Sequence, residues 1–139
     1  MENKKIIKQI ESFFERQSRK YELIYAIIFG SVLTDYFRKD SDIDIAVRFK
    51  HGYMPIDRLL DLGYELEQYI DYRVDIVDVL QASPSLRYVI FTKGKLIFCQ
   101  DRSMYIEDKA TSYSLYLDFK YVDELHFRRI MNAIRRTKK

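Results

Sequence analysis

The segment "DIDIAVRF", residues 42–49, constrains the fold most strongly, because it places two carboxylates inside an otherwise apolar, alternating strand pattern. Side chains two residues apart share one face of a strand. Asp42 and Asp44 are therefore predicted to point one way, and the alternate apolar residues from Ile43 to Phe49 into a core. Neighbouring carboxylates repel each other and raise the pKa of one of them, so the pair is favourable mainly where a cation shares the site.

Hydrophobic periodicity orders the other elements. A first amphipathic helix is predicted to end near Lys20, and the buried strand "ELIYAIIFG" is closed by Gly30. A short helix or turn follows, then the acidic strand, then a helix opened by Pro55 whose apolar face is formed by Ile56, Leu59, Leu60, Gly63, Leu66 and Ile70. The remaining elements are the strand "YRVDIVDV", the short helix "SPSLRYVIF", the strand "LIFCQ", and a long helix over about residues 105–136. This order predicts an α/β or α+β domain with one sheet.

Length and composition restrict the class of protein. The 139 residues suit a single domain over 1–139, and 47% hydrophobic with 32% charged residues is a globular balance. The longest apolar run, Leu23 to Phe29, is too short to cross a bilayer, and the N-terminus lacks the unbroken apolar core of a signal peptide. We therefore expect a cytoplasmic protein with no membrane partner. A single cysteine, Cys99, allows no internal disulfide and agrees with a reducing compartment.

The net charge of +3 is concentrated at the C-terminus. The segment "FRRIMNAIRRTKK" contains six cations and no acid: Arg128, Arg129, Arg135, Arg136, Lys138 and Lys139. Such a cluster is able to contact RNA, DNA or an acidic partner. It equally suits the dipole at the end of a helix, so direct nucleic-acid binding stays open.

Three further residues complete a candidate phosphate and metal site. Gly30 permits a sharp turn and close approach of a ligand, and the amide and hydroxyl of Ser31 are suited to phosphate oxygens. Asp75 reaches Asp42 and Asp44 if their strands are neighbours. Oxygen ligands suit Mg²⁺, and three carboxylates are the minimum for two metals about 3.5–4 Å apart. Each piece also has a structural interpretation: a common turn, a solvated strand edge, or pairing of Asp75 with a nearby cation, either Arg73 or Lys95.

The spacing "GS", ten residues, then "DID", with an apolar strand before it and the acid of "VDIVDV" after it, resembles the nucleotidyltransferase superfamily related to DNA polymerase β. The short length and long terminal helix resemble the minimal nucleotidyltransferases (MNT). These are the antitoxin halves of HEPN/MNT toxin–antitoxin pairs. The resemblance covers residues 23–98 well and the C-terminal helix loosely.

This resemblance implies a polymerase β-like fold with one small mixed sheet flanked by helices, and it implies ATP as substrate and two Mg²⁺ ions. It further implies transfer of AMP to tyrosine hydroxyls of a HEPN ribonuclease toxin, which neutralises the toxin. By position, the resemblance implies that Gly30 and Ser31 bind the triphosphate and that Asp42 and Asp44 bind the metals. Asp75 would hold the metal nearest the incoming hydroxyl and would help to deprotonate that hydroxyl. The HEPN partner is expected to form a hetero-oligomer with this chain through the C-terminal helix.

Two other functions share these residues. A small-molecule nucleotidyltransferase of the antibiotic-modifying kind has the same motif but usually needs an added domain to hold its acceptor, for which we expect no room here. An antitoxin that acts by binding alone would retain the acids for ATP-dependent assembly. The arginine and histidine spacing of the HEPN ribonuclease is absent, and both His51 and His126 are expected at the surface.

The loop "VLTDYFRKDS", residues 32–41, departs from the family pattern because it is bulky and lacks glycine. Its conformation, and any role of Arg38 or Lys39 against phosphate, is therefore open. Four of the 12 tyrosines, Tyr105, Tyr113, Tyr116 and Tyr121, lie on the predicted last helix. They are expected to serve packing or an interface, since aromatic residues are enriched in both.

Overall fold

The computed structural model describes residues 2–137, with the side chains of residues 3–136. These residues form four strands, four α-helices and two single 3-10 turns, at Ser31–Leu33 and Val79–Gln81. In chain order the elements are α1 (Glu2–Gln17), β1 (Leu23–Phe29), β2 (Ile43–Phe49), α2 (Ile56–Ile70), β3 (Val74–Asp78), α3 (Pro84–Lys93), β4 (Lys95–Cys99) and α4 (Arg102–Thr137).

The strands form one mixed sheet in the order β3-β2-β1-β4. β1 runs antiparallel to both β2 and β4, whereas β2 and β3 are parallel and are joined across the sheet by α2. The predicted fold class, a small mixed sheet flanked by helices with a long C-terminal helix, is confirmed. The predicted neighbourhood of the strands that carry Asp44 and Asp75 is also observed.

Both faces of the sheet are covered. On one face, the alternate residues of β2 from Ile43 to Phe49 pack with β1 residues such as Ile28 and with α1 and α2. On the other face, Tyr25, Ile27 and Phe29 pack with Ala46 and with residues of α3 and α4. β1 is therefore buried along its whole length, as its unbroken apolar sequence predicts.

The first half of α4 is tied to the sheet by a buried polar network. Asp108 of α4 accepts hydrogen bonds from the Tyr25 hydroxyl at 2.6 Å and from Arg48 Nε at 3.0 Å. Ser112 on the next turn accepts a hydrogen bond of 3.0 Å from Arg87 Nε of α3. Because every polar group here has a partner, the network is favourable despite its burial. It fixes where α4 leaves the body of the protein.

The second half of α4 extends away from this body. A helix of 36 residues is about 54 Å long. From Leu117 to Arg136 the described side chains are exposed apart from Leu125, which is partly buried. Several of the exposed side chains are large and apolar, namely Leu117, Phe119, Tyr121, Val122, Phe127, Ile130, Met131 and Ile134. Lys138 and Lys139, which belong to the basic C-terminal cluster of the sequence, lie outside the described residues.

Several element boundaries differ from the sequence prediction by one to three residues, and three of these differences are explained by local contacts or bear on the site. α1 ends at Gln17 rather than near Lys20, because Leu23 N bonds back to Ser18 O at 3.0 Å and the chain turns there. β2 begins at Ile43, so Asp42 lies just outside the strand. α4 begins at Arg102 rather than near Tyr105, since Asp101 Oδ1 accepts a hydrogen bond from Met104 N at 3.1 Å and caps the helix.

The predicted apolar face of α2 is confirmed at Gly63, Leu66 and Ile70 and wrong at two other positions. Ile56 and Leu60 of α2, placed by periodicity with the core residues, are 75% and 67% exposed. Leu62, Leu66 and Ile70 of the same helix are buried. Leu66 and Ile70 were predicted to be buried and Leu62 was not, and packing of this face against β3 leaves Ile56 and Leu60 exposed. Within residues 2–137, no helix is both long enough and apolar enough to cross a membrane.

Candidate active site

The candidate site begins with a direct pair of carboxylates. In the parallel ladder of β2 and β3, Asp44 is the register partner of Asp75. Partners in adjacent strands project from the same face. The sheet topology therefore brings together two acids that are 31 positions apart in the sequence. The sequence predicts that these acids meet if their strands are neighbours, and the strands are neighbours.

Asp44 lies in an environment that disfavours its charge. It is partly buried, and its pKa is raised first by that burial, then by the negative charge of Asp75 and then by that of Asp42. All three carboxylates therefore influence one position. Because repulsion of this kind is relieved when a cation enters, the electrostatics of the site favour a bound metal ion.

Asp42 is paired differently from the other two acids. It is exposed, and its Oδ1 lies 3.2 Å from Nε of Arg73, the residue just before β3. The sequence left open whether Arg73 or Lys95 would pair with Asp75. Arg73 instead pairs with Asp42, and Lys95 is on β4 at the opposite edge of the sheet.

Gly30 closes β1 directly against Asp44. Its backbone angles, φ 85 and ψ −156, belong to a region that only glycine occupies without strain. A Cβ added to Gly30 would also overlap Asp44 Oδ2. Both observations explain why the position is glycine: it allows the chain to turn while the carboxylate stays beside the backbone.

Ser31 follows Gly30 and starts a turn of only three residues, Ser31–Leu33. Ser31 O accepts hydrogen bonds from the Thr34 amide at 2.9 Å and from the Thr34 hydroxyl at 2.7 Å. Its side chain is partly exposed. The predicted helix start is thus a single 3-10 turn, and any phosphate contact rests on the groups of Gly30 and Ser31 rather than on a helix dipole.

The donor set fits a divalent cation by its chemistry. Asp42, Asp44 and Asp75 supply only oxygen ligands, which Mg²⁺ prefers, and Mg²⁺ keeps several waters and binds through few carboxylates. Among the residues that the structure describes, no three His, Cys, Asp or Glu side chains form a group ready to hold a metal. In this arrangement, one oxygen of Asp42 is in contact with Arg73.

The contacts of the two cations in the loop before β2 are with groups other than these acids. Arg38 donates from Nη1 to the backbone oxygens of Asp35 and Phe37, both at 3.2 Å. The ammonium of Lys39 lies 4.3 Å from the centre of the Tyr72 ring and 3.9 Å from Asp71. Neither contact directs a cation toward Gly30, so a phosphate role for Arg38 or Lys39 has no support in these contacts.

Residues outside the site were partly anticipated by the sequence. Cys99 is a partly buried free thiol, and His51 and His126 are exposed, as predicted. Of the tyrosines on α4, Tyr105 packs against Tyr25 with ring centres 5.4 Å apart, and Tyr116 stacks on Tyr88 at 4.1 Å. These rings pack the first half of the helix, whereas Tyr121 is 63% exposed on the second half.

The second acid of "VDIVD" was assigned no role in the sequence, and the structure gives it one. Asp78 is buried and accepts hydrogen bonds from Met54 N at 2.8 Å and from Leu80 N at 3.0 Å. It therefore anchors the loop before α2. Asp75, three residues earlier, is exposed on the face shared with Asp44.

The site residues lie within a segment that matches a known protein family. The family Polymerase beta, Nucleotidyltransferase matches residues 8–103, which include Gly30, Asp44 and Asp75. The chain belongs to this family. Its resemblance to the polymerase β-related superfamily is thereby confirmed.

One relative of this nucleotidyltransferase is a protein of Methanocaldococcus jannaschii that is named as a putative protein adenylyltransferase. The two are 37% identical over 68 residues. The matched segment covers 49% of this chain and 72% of that relative.

Solved structures show the same fold. A chain of a toxin–antitoxin complex with AMP-PNP has a TM-score of 0.73 at 24% identity, covering 87% of this chain and 98% of that one. A chain of the tri-AMPylated Shewanella oneidensis HEPN toxin in complex with MNT antitoxin has a TM-score of 0.71 at 24% identity, covering 90% and 98%. The structural similarity to these two chains covers 87% and 90% of this chain, which is more than residues 8–103 matched by the family.

Proposed function

We propose that this nucleotidyltransferase transfers AMP from Mg-ATP to tyrosine hydroxyls of a HEPN-domain ribonuclease and thereby acts as its antitoxin. The observation that carries the proposal is the alignment of Asp44 with Asp75 beside the side-chain-free backbone of Gly30. Two neighbouring carboxylates, whose repulsion a bound cation would relieve, lie beside a backbone segment that a phosphate group could contact. Transfer of a nucleotidyl group needs both, since its catalysis rests on alignment and charge neutralisation.

At the nucleotide end of the site, the roles follow from position. Asp42, Asp44 and Asp75 would hold the metal, which when bound neutralises phosphate charge and lowers the pKa of the acceptor hydroxyl. The absence of a side chain at Gly30 lets a triphosphate approach the backbone, and the Ser31 amide and hydroxyl are donors for its oxygens. These groups would hold the triphosphate at the end of β1, beside Asp44.

At the acceptor end, Asp75 is the most accessible of the paired acids. It is exposed, whereas Asp44 is partly buried. In the proposed step the tyrosine oxygen attacks the α-phosphorus, the bond to the pyrophosphate oxygen breaks, and the tyrosine proton passes to Asp75 or to water. The products are a phosphodiester of AMP with tyrosine and free pyrophosphate.

The second half of α4 supports a macromolecular acceptor. It exposes apolar side chains such as Val122 and Phe127 together with Arg128 and Arg129. Large apolar residues and arginine are enriched at the centres of protein interfaces, and a contiguous exposed apolar surface marks an interaction site. We propose that this part of α4 binds the HEPN partner and that the partner presents its own tyrosine to the strand ends.

Similar proteins support the same assignment. The relative from M. jannaschii is named as a putative protein adenylyltransferase, and one structure with the same fold comes from a complex with a tri-AMPylated HEPN toxin. An ATP analogue, AMP-PNP, is present in a toxin–antitoxin complex of the same fold. These properties belong to the relatives and provide the reason to test them here.

The test uses ATP labelled in its α-phosphate and, separately, in its γ-phosphate. The purified protein is incubated with Mg²⁺, the cognate HEPN ribonuclease and either nucleotide, and label on the ribonuclease is followed. The proposal predicts transfer from the α-labelled ATP alone. Asp40→Asn, an exposed acid of the neighbouring loop, serves as the matched control for Asp44→Asn.

Two outcomes would replace the proposal. Transfer of label to a hydroxylated antibiotic, with none to the ribonuclease, would indicate a small-molecule nucleotidyltransferase. Inhibition of the ribonuclease that persists in the Asp42→Ala/Asp44→Ala variant, without any label, would indicate an antitoxin that acts by binding alone.

A further inference from the structure

One ion pair lies within the candidate site itself. Arg73 Nε is 3.2 Å from Asp42 Oδ1, and its side chain is 77% exposed while that of Asp42 is 53% exposed. Among the ion pairs of residues 3–136, this is the one that involves a site carboxylate. The acids beside it, Asp44 and Asp75, form no ion pair within the same residues.

The pairing follows from the sheet register. Ile43 is the partner of Val74 and Asp44 that of Asp75, so Asp42 and Arg73 are the residues that precede the first pair on each strand. The backbones are joined at this point, because Ile43 N donates to Arg73 O at 2.9 Å. Arg73 therefore starts from a fixed backbone position directly beside Asp42.

The side-chain contact is weak enough to exchange. Ion pairs exposed to solvent contribute roughly 0–1 kcal/mol, since water competes for both partners. A divalent cation carries twice the charge of a guanidinium and binds carboxylate oxygens directly. The exposed Arg73 is free to leave without disturbing the core, whereas its backbone hydrogen bond to Ile43 keeps β3 in register.

We propose that Arg73 is the resident counter-ion of the carboxylate site and that a divalent cation must displace it from Asp42 in order to bind. This inference rests on the proposed metal-dependent function and adds a regulatory role to it. In the free protein Arg73 reduces the repulsion among Asp42, Asp44 and Asp75. By the same contact it lowers the affinity of the site for a cation that arrives without nucleotide.

Direct measurement of Mn²⁺ binding tests this competition without any catalytic readout. The metal alone is titrated into the full chain, and binding is followed by the relaxation of water protons around Mn²⁺. Arg73→Gln removes the competing charge and Arg73→Lys retains it. Lys39→Gln is the matched control, because it removes a nearby cation whose ion pair is with Asp71 rather than Asp42.

Displacement predicts that Arg73→Gln lowers the dissociation constant for Mn²⁺ by about two- to fivefold, the range expected for loss of one exposed ion pair. Arg73→Lys should stay close to the unmodified protein, and Lys39→Gln should change binding less than Arg73→Gln. In an Asp42→Asn background, Arg73→Gln should produce no further tightening. Circular dichroism of each variant without metal verifies that it is folded.

Other results would overturn the inference. Unchanged or weaker Mn²⁺ binding in Arg73→Gln, or equal tightening by Lys39→Gln, would show that Arg73 does not compete for Asp42. If AMP transfer to the HEPN partner still occurs in that case, the proposed function survives. A protein that binds no Mn²⁺ in any variant would contradict both the inference and the metal site on which it rests.

Discussion

The backbone of Gly30 lies against the Asp44 carboxylate, leaving no space for a Cβ at position 30. This contact joins the end of β1 to the start of β2. The turn assigned to phosphate and the acid assigned to metal are therefore parts of one packed unit, and a change at either residue is expected to disturb the other.

The first prediction concerns Gly30→Ala. The added methyl group would overlap Asp44 Oδ2, and φ of 85° is unfavourable for alanine. We expect a loss of about 1–3 kcal/mol in unfolding free energy and a large loss of AMP transfer, because the carboxylate must move. Urea unfolding and the labelled transfer assay measure these two effects.

Gly52→Ala separates strain from overlap. Gly52 has a similar φ of 95°, but an added Cβ would meet no atom within 4 Å. It should show the cost of backbone strain while transfer remains close to normal. Equal losses of transfer in the two variants would argue against the specific contact between Gly30 and Asp44.

A second prediction follows from the raised pKa of Asp44. A carboxyl with a higher pKa in the folded than in the unfolded chain binds protons more tightly when folded, so its ionisation destabilises the fold as pH rises through that interval. Asp44→Asn should therefore stabilise the metal-free protein near neutral pH. The gain should be below about 1 kcal/mol, because Asp44 is partly exposed and screened by solvent.

The pH dependence provides the check. Below about pH 3, well under the pKa of an aspartate in an unfolded chain, the group is protonated in both states, and the advantage of asparagine should disappear. Urea unfolding in the presence of EDTA at neutral and at acid pH measures it. The same variant should lose AMP transfer by about a hundredfold or more, since a metal contributes several kcal/mol to stabilising the transition state. Destabilisation by asparagine near neutral pH would contradict the electrostatic account.

The third prediction concerns the anchor of α4. Asp108→Ala would leave the Tyr25 hydroxyl and Arg48 Nε without their shared acceptor in a largely buried site. We expect a loss of about 3–5 kcal/mol in unfolding free energy. Tyr25→Phe should cost only about 1–2 kcal/mol, because Asp108 keeps its contact with Arg48. Asp118→Ala, on an exposed turn of the same helix, should change stability by less than about 0.5 kcal/mol.

A fourth prediction addresses the partner. Val122→Asp and Phe127→Asp place charge on the exposed half of α4, where the two residues are 62% and 63% exposed. Each should weaken binding of the HEPN ribonuclease by more than about tenfold with unchanged stability, as expected for residues at an interface centre. Ile56→Asp, on the exposed face of α2, is the matched control and should bind normally. Calorimetric titration of the partner measures all three.

The strands and the acids of the site were predictable because their signals are local. The unbroken apolar run of β1 predicts a strand buried on both faces, and the alternation after Asp42 predicts that one face of β2 packs in a core. The glycine before Ser31 likewise indicates a turn. Each of these inferences needs only neighbouring residues along the chain.

The rest depends on contacts between distant segments. The parallel register that aligns Asp44 with Asp75 is set by packing of α2 across the sheet. From the sequence alone, the proximity of these two acids could be predicted only if their strands were assumed to be neighbours. The same packing decides that Ile56 is exposed. The pairing of Arg73 with Asp42, rather than with Asp75, is a consequence of that register and had no local signal.

The most direct test of the central claim is the intact mass of the cognate HEPN ribonuclease after co-expression. It is co-expressed with this nucleotidyltransferase, with Asp44→Asn, or with the control Asp40→Asn. The account predicts that the ribonuclease gains whole AMP units with the unmodified protein and with Asp40→Asn, and none with Asp44→Asn. A ribonuclease of unchanged mass that still copurifies with the unmodified protein would contradict it.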